Sequence, residues 1–143
     1  MLITPHALVG IAIATQFDRV WMVAPLAIGS HFILDSVPHW DLDTEDISKK
    51  DVFISALDVG LAIFLATILT WGNSDWEMMW LGGLSASIPD AHNLLNALYN
   101  SPKRLKKYTL VHNKYHYGKY VRFLPGIALQ LFVIMMSLVV MSL

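Results

Sequence analysis

Apolar residues dominate five stretches of the chain, and polar residues gather between them. Residues 52–71 hold a single charge, Asp58, and residues 124–143 hold none. Both stretches reach the ~20 apolar residues that a bilayer-crossing helix needs. Residues 20–37 and 76–88 are apolar with a few polar interruptions, and residues 2–17 form a shorter run. At about 1.5 Å per residue that first run spans only ~24 Å, so it is expected to sit partly in the interface or to be covered by its neighbours. The pattern predicts an all-α fold: a polytopic membrane bundle of about five helices, built as one domain over residues 1–143. A very hydrophobic soluble bundle is the alternative.

Local signals punctuate the helices. Thr4-Pro5-His6 suits a helix start, with Thr as the N-cap and Pro in the first helical position. Residues 16–19 and Gly72-Asn73-Ser74-Asp75 are tight polar turns. The second helix is expected to end in HFILDSVPHWD (residues 31–41), and the fourth in Pro89-Asp90-Ala91-His92. These boundaries divide the chain into a first helical hairpin (1–41), a second (52–92), a basic loop (93–122) and a C-terminal helix (123–143) that looks like a plain membrane anchor. The hairpins echo one another. ValGlyIleAlaIle at 9–13 matches ValGlyLeuAlaIle at 59–63, and Pro38-His39-Trp40-Asp41 matches Pro89-Asp90-Ala91-His92. The expectation is a parallel internal repeat about an axis along the membrane normal, which would bring the two Pro motifs together.

Charge adds an orientation. Nine of the ten Lys and Arg residues lie in the 39–51 and 93–122 segments, and Arg19 alone lies at the opposite end. The positive-inside rule then places the N-terminus and the Pro motifs in the cytoplasm and the C-terminus outside, in the inner (cytoplasmic) membrane of a cell. The first apolar run lacks a basic n-region and a clear small-residue cleavage site, so it is expected to stay as a helix. Net charge is −1, which suggests no nucleic-acid partner. Membrane lipid is the expected partner, and the chain is a candidate for a homo-oligomer. There is no Cys, so any metal would be held by His, Asp, Glu or backbone.

The candidate chemistry sits on one side of this layout. All six His (His6, His31, His39, His92, His112 and His116) fall on the expected cytoplasmic side, none in the outer turns or the last helix. Ionisable groups in an apolar run are expensive unless they are paired or bind a metal. His31–Asp35 and His112–His116 are each four apart, which places them on one face of a helix. With Asp41 and Asp90, nine metal-ligand candidates result: His6, His31, Asp35, His39, Asp41, Asp90, His92, His112 and His116. Imidazole and carboxylate without thiolate suit zinc, with Mn or Fe as alternatives. Nine donors would fill one site with supporting carboxylates, or two sites ~3.5–4 Å apart. Asp35 and Asp41 are the candidates for general base or bridging ligand. Lys114 is the best candidate for a substrate phosphate, whereas the basic run at 101–108 fits anionic lipid headgroups. Blander readings stand beside these. His31 with Asp35 also fits a buried ion pair, His112 a solvated loop residue, His6 a polar helix start, and Asp58 a partner for Lys or a further ligand. Ser36 or Ser87 could enter a Ser-His-Asp triad, but no spacing favours it.

Several of these motifs look like those of a known group. Gly82-Gly83…Pro89-Asp90-Ala91-His92, then His112-Asn113-Lys114-Tyr115-His116, with ThrProHisAla at 4–7, resemble the YdjM-like family of bacterial inner-membrane metal-dependent hydrolases. HFILDSVPH is similar to the His-x-x-x-Asp helix of zinc-dependent phospholipase C. The chain departs from the first pattern in lacking a second Asp in the Pro89 motif and in the closer spacing of the two late His. The resemblance implies a membrane-bound, metal-dependent hydrolase.

The expected function is therefore a membrane-embedded metal-dependent hydrolase acting on a phosphoester, phospholipase-like in character, of a lipid or lipid-linked substrate at the cytoplasmic interface. The rival is a metal- or proton-coupled transport or sensing protein, which would need polar groups spread across the membrane. The outer halves of these helices have almost none.

Overall fold

A computed structural model describes residues 1–42, 48–99, 114–117 and 121–143. Among these residues the fold is all-helical, with five long helices: α1 (Ile3–Gln16), α2 (Val20–Asp35), α3 (Lys49–Thr70), α4 (Trp76–Tyr99) and α5 (Phe123–Met141). The tight turns at 17–19 and 71–75 are where the sequence places them. Gly72 adopts φ +75° in the second, a conformation that glycine enters without steric cost.

Three boundaries differ from expectation. Thr4 is not the cap of α1: the N-cap is Leu2, and Thr4 lies inside the first turn. α3 starts at Lys49, ahead of the apolar run, because Ser48 and Asp51 form a reciprocal capping box. α4 does not stop at the Pro89 motif but continues to Tyr99, with Pro89 buried in its interior. Pro89 has no N–H to offer the preceding turn, and packing outweighs that loss. The basic segment accordingly begins later than residue 93.

α1 is the hub. Among the described helices it packs against all four others, α4 packs against α1, α2 and α3, and α5 packs on α1. The two hairpins thus have unequal roles: α1 is central and its sequence counterpart α3 lies at the edge. The core around α1 is apolar and built from Leu8, Ile11, Ala14, Val23, Ala66 and Met79. α1 and α4 cross at glycines. A Cβ on Gly10 would meet the Gly82 carbonyl, and a Cβ on Gly82 would meet the Gly10 carbonyl. Each obstacle is backbone, so neither helix can yield. Gly82 and Gly83 serve close approach, as small residues do between apolar helices.

α3 and α5 are long and apolar enough to cross a membrane, whereas α1 and α2 are apolar but shorter. Only 11% and 17% of the most apolar windows of α3 and α5 are buried, so these helices turn their apolar side chains outward.

The glycine crossing generates a prediction. Gly10→Ala and Gly82→Ala should each destabilise the fold by about 1–3 kcal/mol, as overpacking does. Gly60→Ala, with nothing within 4 Å of the added methyl, should be neutral or stabilising. Thermal unfolding in detergent distinguishes the two outcomes.

Candidate metal centre

The polar groups converge at one end of the bundle, where α1 begins, α2 ends and α4 passes Pro89. His6 stands in the first turns of α1, His31 and Asp35 in the last turns of α2, and Asp90 just beyond Pro89. After α2 the chain runs irregularly through 36–42, carrying His39 and Asp41. The 114–117 segment returns His116 to the same place, pinned where the Tyr117 N–H donates to the Asp35 carbonyl at 2.7 Å.

Asp35 is the centre of the cluster and is 1% exposed. Its Oδ1 lies 3.1 Å from His6 Nε2 and its Oδ2 lies 3.1 Å from His31 Nε2. The two imidazoles stack with centroids 4.1 Å apart. Asp90 faces the same pair from α4, 3.7 Å from His31 Nε2 and 3.9 Å from His6 Nε2. On the other side, Asp41 lies 3.1 Å from His116 Nε2 and 3.7 Å from His39 Nε2. Two groups of donors result, each compact enough to hold one ion: His6, His31 and Asp90, and Asp35, His39 and His116.

The proton positions favour a cation. His31 Nδ1 donates to the Ala86 carbonyl at 2.9 Å, and His39 Nδ1 donates to the Val37 carbonyl at 2.7 Å. A carbonyl oxygen only accepts, so each Nδ1 carries a hydrogen and each Nε2 faces inward, as a lone pair in the neutral ring or as an N–H in the imidazolium. His31 Nε2 points at carboxylate oxygens, which only accept, so the contact needs a proton or a metal ion between the two. Buried His39 Nε2 and His6 Nδ1 have no hydrogen-bond partner among the described residues. Fixing the tautomer through the second ring nitrogen is how proteins prepare His for metal.

One cationic group already lies among the acids. The Met1 amino group is 2.7 Å from Asp35 Oδ1, 3.0 Å from Asp41 Oδ2 and 3.5 Å from His116 Nε2. Burial opposes its charge, yet Asp41, Asp35 and Asp90 outweigh burial and raise it above its usual range. Burial likewise opposes the Asp41 carboxylate. The Met1 ammonium, then the hydrogen bond from His116, nevertheless hold Asp41 well below the ordinary carboxylate range. A positive charge is thus favoured at the place where the loop-side donors meet.

Of the nine candidates, seven are brought together: His6, His31, Asp35, His39, Asp41, Asp90 and His116. The backbone of His92 continues α4, and its side chain lies outside the described residues, as does all of His112. The basic run at 101–108 is outside them too. Lys114 is exposed, its Nζ 5.8 Å from the centre of the Tyr115 ring. Ser36 and Ser87 bond to their own helices, through the Ile33 and Gly83 carbonyls, and join no triad.

Among the described residues, Asp58 pairs with no Lys and belongs to neither donor group. It caps α1 from α3, accepting from the Ile3 N–H at 2.5 Å, the Thr4 N–H at 3.3 Å and the Thr4 hydroxyl at 2.6 Å. The orphan amides of a helix start need such acceptors. Sequence reasoning passed over Gln130 in α5, which accepts from the Leu2 N–H at 3.0 Å and donates to the Trp40 carbonyl at 2.7 Å. The available signal was a lone amide in an otherwise apolar run. No protein-family model, curated protein or solved structure matches the chain.

The Asp58 cap predicts a stability effect separate from ligation. Asp58→Ala and Thr4→Ala should each destabilise the fold by roughly 1–3 kcal/mol, the range for losing a buried hydrogen-bond partner. The double variant should cost less than the sum, because both act on one interaction. Thermal unfolding of the four proteins completes the cycle.

Proposed function

We propose that this chain is a membrane-embedded, metal-dependent phosphoester hydrolase, with its metal centre at the cytoplasmic end of a five-helix polytopic bundle in the inner membrane. The observation that carries this reading is the inward Nε2 of His31 and His39, each fixed by a backbone carbonyl on Nδ1 and set among buried carboxylates. His6, His31 and Asp90 would hold one divalent ion, and Asp35, His39 and His116 a second, which would displace the Met1 ammonium from among them, with Asp35 lying between the groups. Zinc fits this imidazole–carboxylate donor set, as Mn or Fe also would. When bound, a divalent ion lowers the pKa of a water and polarises a phosphoryl oxygen.

The remaining work falls to the chain. Asp35 is too buried to meet a substrate and holds the two halves together. Asp41, 26% exposed and kept ionised, is placed to orient the attacking water and accept its proton. A P–O bond forms to the water oxygen, the ester P–O bond breaks, and the alcohol leaves with a proton. Exposed Lys114, on the segment that carries His116, would meet the substrate phosphate. The outward apolar faces of α3 and α5 support a lipid setting, and with it a lipid or lipid-linked substrate presented at the interface. A transport path is disfavoured because the bundle beyond the cluster is packed with Leu8, Ile11, Val23 and Met79.

Purified protein handled without chelator should contain one to two equivalents of zinc per chain, the capacity of the two donor groups. His31→Ala should lower that content, whereas Asp41→Asn should retain metal. Asp41→Asn should also slow hydrolysis of bis(p-nitrophenyl) phosphate or of phosphatidylglycerol in mixed micelles by ~10²–10⁴-fold, the usual contribution of a general base. Elemental analysis and initial rates check these outcomes. Wild-type protein without stoichiometric metal contradicts the proposal.

A further inference from the structure

α5 contributes no candidate ligand, yet it touches the loop that contributes two. Gly126 lies against Trp40, and a Cβ at Gly126 would meet the Trp40 N, Cα and Cβ. One turn further, Gln130 is 2% exposed and bridges two backbone groups, the Leu2 N–H and the Trp40 carbonyl. Its amide orientation is determined by these partners. Exchanging O and N would set an oxygen against a carbonyl and an NH₂ against an N–H. Trp40 lies between His39 and Asp41 in sequence, and its ring meets Phe123 of α5 edge-on at 5.0 Å. Leu2 is the N-cap of α1, four residues before His6.

The two donor groups depend on this contact unequally. His6, His31 and Asp90 all stand on helices that pack against one another. His39 and Asp41 stand on the irregular 36–42 segment, which has no ladder of its own hydrogen bonds to define its position. Segments of this kind are positioned by the scaffold beside them, and here that scaffold is α5.

We infer that α5, through Gln130 and Gly126, is the positioning element that sets the His39–Asp41 loop against α1 and so completes the loop half of the metal centre. Gln130 is a two-ended clamp: one end holds the start of α1, the other the loop, and the amide length sets their separation. The helix that resembles a simple membrane anchor is thereby part of the site. This inference rests on the metal reading, and its test separates the two.

The variants are Gln130→Glu, Gly126→Ala and Gly60→Ala. Gln130→Glu keeps an acceptor for the Leu2 N–H but turns a carboxylate oxygen toward the Trp40 carbonyl. Gly126→Ala pushes Trp40 away from α5. Gly60→Ala adds a methyl with nothing within 4 Å and serves as the control. Zinc titration of the full chain in detergent should show one binding step weakened by ~10–100-fold in the first two variants, the range for losing a group that supports ligands. The other step should be unchanged, and the control should match wild type. Amide hydrogen exchange of residues 37–42 should be faster in the same two variants. Unchanged zinc steps in Gln130→Glu and Gly126→Ala overturn the inference, and so does a parallel loss of both steps. A wild-type protein that takes up no zinc overturns the metal reading and this role with it. Faster exchange in Gln130→Glu would then mark a purely structural clamp.

Discussion

A carboxylate buried to 1% exposure at the end of an apolar helix is the constraint on which this structure depends. Asp35 cannot remain ionised there without positive charge or strong donors around it. The carboxylate's partners are His6 from α1, His31 from its own helix and the Met1 ammonium, while the 114–117 backbone bonds the Asp35 main-chain carbonyl. Satisfying Asp35 therefore fixes the relative depth of α1 and α2, and it gathers the other ionisable groups at the same end. The same arrangement leaves imidazole Nε2 atoms facing carboxylate oxygens, a geometry that takes a proton or a metal ion between them.

α1 makes this convergence possible. At fourteen residues it is the shortest of the five helices, yet it touches all the others. Its approach to α4 relies on the absence of side chains at Gly10 and Gly82, and its first amides are satisfied by Asp58 from α3. A short helix held at both flank and start by its neighbours can present His6 at a defined depth. His6, His31 and Asp35 are themselves almost fully buried, so the electrostatics at the polar end act in a low-dielectric setting.

Much of this was legible in the sequence because buried charge is conspicuous in an apolar run. His31 and Asp35 stood out by their four-residue spacing, and Asp90 by its place after Pro89. All three lie in the cluster, joined by His6, His39, Asp41 and His116. The helix count and the tight turns followed from hydropathy alone. Other features depend on three-dimensional packing and had no local signature. Thr4 had the chemistry of an N-cap, but its hydroxyl bonds to Asp58 across the bundle instead. Pro89 predicted a helix end, yet the packing of α4 against α1 and α2 carries the helix onward. Gln130 lay in a stretch whose apolarity suggested only an anchor, and its two backbone partners are far away in sequence. The match between residues 9–13 and 59–63 suggested equivalent hairpins, while the packing gives α1 and α3 different neighbours.

The proposed site requires that imidazoles and carboxylates of this chain bind a metal directly. X-ray absorption at the zinc edge of the full chain reconstituted with two equivalents of zinc addresses that directly. This donor set predicts only nitrogen and oxygen neighbours, at about 2.0–2.2 Å, with outer-shell scattering from several imidazole rings and no sulfur. It also predicts a metal–metal distance of roughly 3.5–4 Å, as in two-metal sites. A shell of water oxygens without imidazole scattering would contradict it.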